Sequence, residues 1–95
     1  MVIHKYELDI KDEQDITINN MLSYALSVGE QNGKLVMWVE NIENYSGCSV
    51  ILIRVIGTGN PYKQEAGFEL IGTVQMSYGL VWHVFARTIY TPKLK

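Results

Sequence analysis

The sequence predicts an all-β or mainly β fold, a small antiparallel sandwich or partly open barrel of about six to seven strands. Three observations predict it. Apolar and polar residues alternate with period two in "IHKYELDI" and on both sides of Asn32-Gly33, the spacing of strands with one covered face. The run "SVILIRVIG" is apolar on both faces, as a central strand is. No segment reads better as a helix: "NNMLSYALSV" has some helical spacing, but a hairpin register accounts for it more fully.

In chain order, the first strand should point Tyr6, Leu8 and Ile10 inward. "KDEQD" then interrupts the alternation as a solvated turn, and "ITI" resumes as a short strand. "SYALSVGEQNGKLVMWVE" is the clearest local signal. Asn-Gly is the strongest two-residue hairpin turn, because a type I′ turn needs positive φ at both central residues. It sets Val28 opposite Met37, Leu26 opposite Val39 and Tyr24 opposite Asn41, which puts an apolar set on one face. Trp38 falls on the other face, in a second core or at a contact surface. "NIENYSG" reads as a polar connection, "NPYKQEAG" as a loop, and "FELIGTVQM" with "LVWHVFA" as a second hairpin across "SYG". The whole chain, 1–95, reads as one domain, with 88–95 a basic tail expected to fray.

Composition narrows the function classes. Ninety-five residues suffice for one core without staples. Hydrophobic residues make up 47% and charged residues 19%, which leaves apolar surface over and points to a homo-oligomer or a partner surface. Eight basic against ten acidic residues, net charge −2, exclude a sequence-independent binder of double-stranded nucleic acid, which needs a basic stripe. A small ligand held by one or two arginines stays open. The single cysteine, Cys48, permits no internal disulfide and no paired-cysteine zinc set. No signal peptide is visible in "MVIHKYELDI", and the longest apolar run, 50–53, is far shorter than the roughly 20 residues of a membrane helix. The expectation is a cytoplasmic protein that needs no membrane, metal or cofactor.

Candidate ligand-binding residues cluster around "RVIGTGNPY". Arg54 interrupts an aliphatic run, and a guanidinium there needs a carboxylate partner or a bound carboxylate or phosphate. Gly57, Thr58, Gly59 and Asn60 resemble the start of a phosphate loop, yet Pro61 comes too soon and no helix follows, so neither glycine fingerprint is met. A strand-ending turn is the stronger reading, and a backbone amide nest for an anion is the alternative. Tyr62, Trp38 and Trp82 are available for stacking, on a base or at a protein interface. His83 lies among apolar residues in "LVWHVF", where a satisfied core or interface histidine is the commoner outcome. No serine stands in G-x-S-x-G and no carboxylate pair is placed for acid–base work, so nothing argues for an enzyme.

Taken together, "YELDIKDEQDITI", "SVGEQNGKLVMWVE", "RVIGTGNP", "ELIGTVQM" and "GLVWHVF" resemble a family of small phage- and prophage-encoded proteins of uncharacterised function, over roughly 6–85. The GTG-x-P loop and the "VWHVF" strand carry most of the resemblance. Asn60 stands where the family is expected to have histidine. The resemblance implies a viral accessory protein in the bacterial host cytoplasm. Such an origin implies in turn a non-enzymatic role against host defence. The first expectation is a homo-oligomer that sequesters a nucleotide-derived immune signal, with Arg54 on phosphate and an aromatic on the base. The alternatives are an inhibitor that binds a host defence protein through a strand edge or aromatic patch, and an accessory virion component.

Overall fold

The structure, a computed structural model, describes residues 1–93. Five strands follow one another: β1 (Val2–Glu7), β2 (Glu13–Gln31), β3 (Lys34–Gly57), β4 (Glu69–Gln75) and β5 (Val81–Pro92). All pairings are antiparallel. β2 lines one edge of β3 along nearly its whole length, while β1 and β5 share the other edge, β1 beside 36–41 and β5 beside 47–57. β4 pairs with β5 and completes the order β1-β3-β5-β4.

The long β2–β3 hairpin bends in the middle. A straight strand of 24 residues would span about 80 Å, whereas the longest extent of the molecule is 48 Å. The bend lies where the register passes from Asn19 opposite Cys48 to Met21 opposite Glu43, leaving 44–47 of β3 facing Asn20 alone. Asn20 and Asn44 take positive φ, 61° and 69°, a region asparagine tolerates better than most residues. The segment expected as a polar connection, "NIENYSG", is this bend within β3. Counted as straight segments, β2 and β3 each supply two, which is how five strands fill the place of the expected six to seven. The two halves curl over one core of Leu35, Met37, Val39, Ile51, Ile53, Val55, Val74, Met76, Val84 and Ala86, with Leu8 and Ile18 at its margins. The result is an all-β half-barrel.

The Asn32-Gly33 turn is as expected, with φ of 54° and 79°, and Val28 faces Met37. Beyond that pair the register differs. A bulge at Leu26 puts Ala25 opposite Val39 and Ser23 opposite Asn41, and one extra residue reverses the facing of all that follow. Tyr24 and Leu26, expected inward, are therefore 48% and 45% exposed. Ser23, Asn41 and Ser49 occupy the interior instead, each fully buried. They satisfy one another: Ser23 Oγ donates to Asn41 Oδ1 (2.6 Å), the Ser23 amide to Ser49 Oγ (3.1 Å), and Ser49 Oγ to the Met21 carbonyl (2.9 Å). Asn41 Nδ2 reaches His4 Nδ1 and Tyr6 Oη of β1 at 2.8 and 3.1 Å. Of the first strand's expected inward set, Leu8 is buried and Tyr6 half-buried, but Ile10 is exposed, because β1 ends at Glu7 and the chain turns away.

The C-terminal segment also differs from expectation. Residues 88–92 continue β5 and pair with 47–51 of β3, Lys93 N donates to the Ser46 carbonyl (2.7 Å), and Tyr90 packs edge-on against Tyr45. The edge of β3 beyond the bend offers unpaired backbone groups, and the segment satisfies them. The last two residues of that tail, Leu94 and Lys95, lie outside the described residues. The described residues hold no helix long and apolar enough to cross a membrane.

Candidate functional site

The connection 58–68 between β3 and β4 folds back over the outer face of the sheet. Outward residues of paired strands stand side by side, so Arg54 of β3 lies next to Phe85 of β5, with Glu13 of β2 on its other side. The connection covers this row. Tyr62 stacks on Phe85, ring centroids 5.4 Å apart and planes 29° from parallel, while Phe68 lies against the Arg54 guanidinium at 4.7 Å. Between the connection and the β1–β2 turn opens a cleft of about 350 Å³, within the roughly 300–1,000 Å³ of small-ligand sites. Its floor is Arg54, Ile56 and Phe85, one wall is Asp12 with Glu13, and the other runs from Asn60 to Glu65.

Arg54 meets its charge requirement inside the protein. Its Nε lies 2.9 Å from Glu65 Oε1 and 3.7 Å from Glu13 Oε1, and one terminal nitrogen donates to the Ile53 carbonyl (3.2 Å). Its side chain keeps only 20% exposure. The carboxylate-paired reading of Arg54 is the one the geometry carries, and a phosphate would reach this guanidinium only in competition with Glu65. Around the cleft stand three carboxylates, Asp12, Glu13 and Glu65, against two cations, Arg54 and Lys63.

The glycine segment forms a strand-ending turn. The Asn60 amide donates to the Gly57 carbonyl (3.1 Å) and the Thr58 amide to the Val81 carbonyl (3.2 Å), so two of the amides considered for an anion nest are already engaged. Gly57 lets the turn pack closely: a Cβ there would come within 2.9 Å of Asn60 Nδ2 and 3.1 Å of the Trp82 ring, so both side chains would have to shift. Thr58 Oγ1 lies 2.7 Å from His83 Nε2, and Thr73 Oγ1 lies 3.0 Å from His83 Nδ1. Both ring nitrogens of His83 are thus taken by hydroxyls, which brace the turn against β4 and β5.

Of the residues singled out in the sequence, Arg54, Gly57, Asn60 and Tyr62 line the cleft. Thr58 and His83 form the brace beside it, and Gly59 sits in the turn at φ 88°. Trp82 is on the inner face against the core, its indole N–H buried without an acceptor among the described residues. Trp38 belongs to the other half of the hairpin, outside the cleft, where its ring lies over Gly29. The structure therefore does not bring either tryptophan to the cleft. Sequence reading missed Asp12, Glu13, Lys63, Glu65, Phe68 and Phe85. The usable signal was Arg54 itself: a guanidinium in an aliphatic strand demands carboxylates, and "KDEQD" and "YKQEAG" were the loops able to supply them.

A family model described as a domain of unknown function (DUF7352) matches residues 1–93, so the chain belongs to that family. No curated protein and no solved structure matches the chain.

Proposed function

We propose that this member of the family is a non-enzymatic binding protein that holds a nucleotide-derived ligand in the Arg54 cleft, and that it serves a phage by sequestering a bacterial immune signal. The observation that carries the reading is the Tyr62–Phe85 stack in the lining of the cleft. Tyr62 is 56% exposed, yet its ring is held flat by Phe85. A pre-placed aromatic of this kind receives a planar base with little loss of side-chain freedom, and base–aromatic stacking contributes roughly 1–3 kcal/mol. Lys63 supplies a cation for a phosphate. Arg54 supports the ligand indirectly, by fixing Glu65 and Phe68 of the connection. The test is calorimetric titration of the purified protein with cyclic mononucleotides, cyclic dinucleotides and cyclic ADP-ribose isomers. Heat with at least one member, reduced at least tenfold in affinity by Tyr62→Ala, is expected. Absence of heat with every member, at protein concentrations above the expected dissociation constants, would overturn the reading.

A second reading, inhibition of a host defence protein, is favoured by exposed apolar residues away from the cleft. Tyr78 and Leu80 at the β4–β5 turn are each more than half exposed, and aromatic and aliphatic surface of this kind suits a protein partner. Capture of one stoichiometric protein from host lysate, lost on Leu80→Asp but kept on Tyr62→Ala, would favour it over the ligand reading.

A further inference from the structure

The distribution of charge in the cleft carries the ligand assignment one step further. We infer that the base received by the cleft is a guanine, read through its N1–H and N2–H donors by the carboxylate of Asp12. The inference rests on the ligand reading above. Its starting point is how the protein holds its own guanidinium: the planar group of Arg54 lies over Phe68 and directs an N–H of its edge to Glu65 at 2.9 Å. The guanine edge carries a similar unit, two parallel N–H donors on either side of one carbon. A surface built of an aromatic ring with a carboxylate beside it therefore suits guanine as it suits arginine.

The lining of the cleft holds both components again. Tyr62 presents a ring stacked on Phe85, and Asp12 and Glu13 line the same cleft. Glu13 leans on Arg54 at 3.7 Å. The Asp12 backbone is fixed by its carbonyl, which accepts the Val55 amide at 3.2 Å. Its carboxylate makes no hydrogen bond or ion pair among the described residues. Adenine presents an acceptor at N1 where guanine presents a donor, so its edge would set a lone pair against a carboxylate. Hypoxanthine keeps the N1 donor but lacks the amino group. Phosphate count enters as well: with Arg54 engaged by Glu65, Lys63 is the cation that remains at the rim, which favours a ligand placing one phosphate at this site over a polyphosphate.

The experiment is a calorimetric comparison of cyclic GMP, cyclic IMP and cyclic AMP on the intact protein and on Asp12→Asn and Tyr62→Ala, with folding of each variant checked by thermal midpoint. The expected order is cyclic GMP tightest, cyclic IMP intermediate and cyclic AMP at least tenfold weaker than cyclic GMP, the scale of discrimination by a good bidentate pair. Asp12→Asn should remove the preference, weakening cyclic GMP at least tenfold and cyclic AMP little. Tyr62→Ala should weaken all three alike. Equal binding of guanine and adenine ligands, or a preference untouched by Asp12→Asn, would overturn the guanine assignment and leave the ligand reading standing. Absence of binding by these three while other nucleotides of the wider panel bind would also overturn the assignment alone. No binding by any nucleotide would overturn both.

Discussion

Asn41 shows how a single buried amide can decide a register. Its side chain is fully buried and joins Ser23 of β2 to His4 and Tyr6 of β1. One residue of slippage in either pairing would leave these groups without partners in an apolar interior, a cost of about 1–3 kcal/mol per group. Asn41→Leu should accordingly destabilise the fold by about 2–3 kcal/mol. The measure is a lower urea midpoint at unchanged slope, and a neutral substitution would show that the network is dispensable. Arg54 is the contrasting case, since its partner Glu65 is 38% exposed on its side chain and solvent screens the pair. Arg54→Met should cost only about 1 kcal/mol while loosening the connection 58–68. Faster amide exchange at Phe68, whose N–H donates to the Glu65 carbonyl, would report that loosening. Unchanged exchange there would mean that the Tyr62–Phe85 stack alone fixes the connection.

At the scale of elements, the glycine at the bend lets the C-terminal end of β5 lie against β3. Gly47 has φ 147°, and a Cβ there would stand 2.2 Å from the Thr91 carbonyl oxygen. No side-chain rotation relieves a clash with backbone, so Gly47→Ala should push 88–92 of β5 off β3, at about 1–3 kcal/mol. Hydrogen exchange at 88–92 is the readout, and retained protection would refute the claim. The same bend marks how far the sequence could be read. Alternation and the Asn-Gly turn located the hairpins and the central strand, though not the first hairpin's register beyond Val28, because those signals are local. The bulge at Leu26 left no local mark: no glycine or proline stands there, and its only trace is the polar pair Ser23 and Asn41, which needs a partner across the sheet. The pairing of 88–92 was illegible for the same reason, since its partner lies some 40 residues earlier in β3. The cleft was half legible. Arg54 and the turn stood out, but the wall from Asp12 and Glu13 depends on β2 running beside β3 over nearly its full length.

At the scale of the molecule, the curled sheet leaves a seam where β2 approaches β4 without pairing to it. Unpaired strand edges invite association unless covered or tied. Here the ties are few. Val28 packs so closely on Gly72 that a Cβ would meet it at 2.8 Å. At one end, Glu30 accepts from the Ser77 amide at 3.0 and 3.1 Å and from its hydroxyl at 2.8 Å. Toward the other end the edges diverge, around Tyr24, Ala25, Glu69 and Ile71, into a second hollow of about 310 Å³. β4 is thus held by β5 on one side and by a short set of side-chain contacts on the other. Glu30→Ala removes the charged acceptor and leaves the packing. Because the bonds are exposed, the cost to global stability should be about 1 kcal/mol or less. Local opening should rise far more than that figure implies for the rest of the fold, since the seam is held by side chains and not by a backbone ladder. Amide exchange should quicken at Ser77 and along β4, while the amides of β1 and 34–41 of β3 keep their protection. With the β4 edge freed, the variant should also self-associate more readily than the parent in sedimentation velocity. Uniform quickening across all strands would show instead that the half-barrel opens only as a whole, with the seam as firmly closed as its hydrogen-bonded edges.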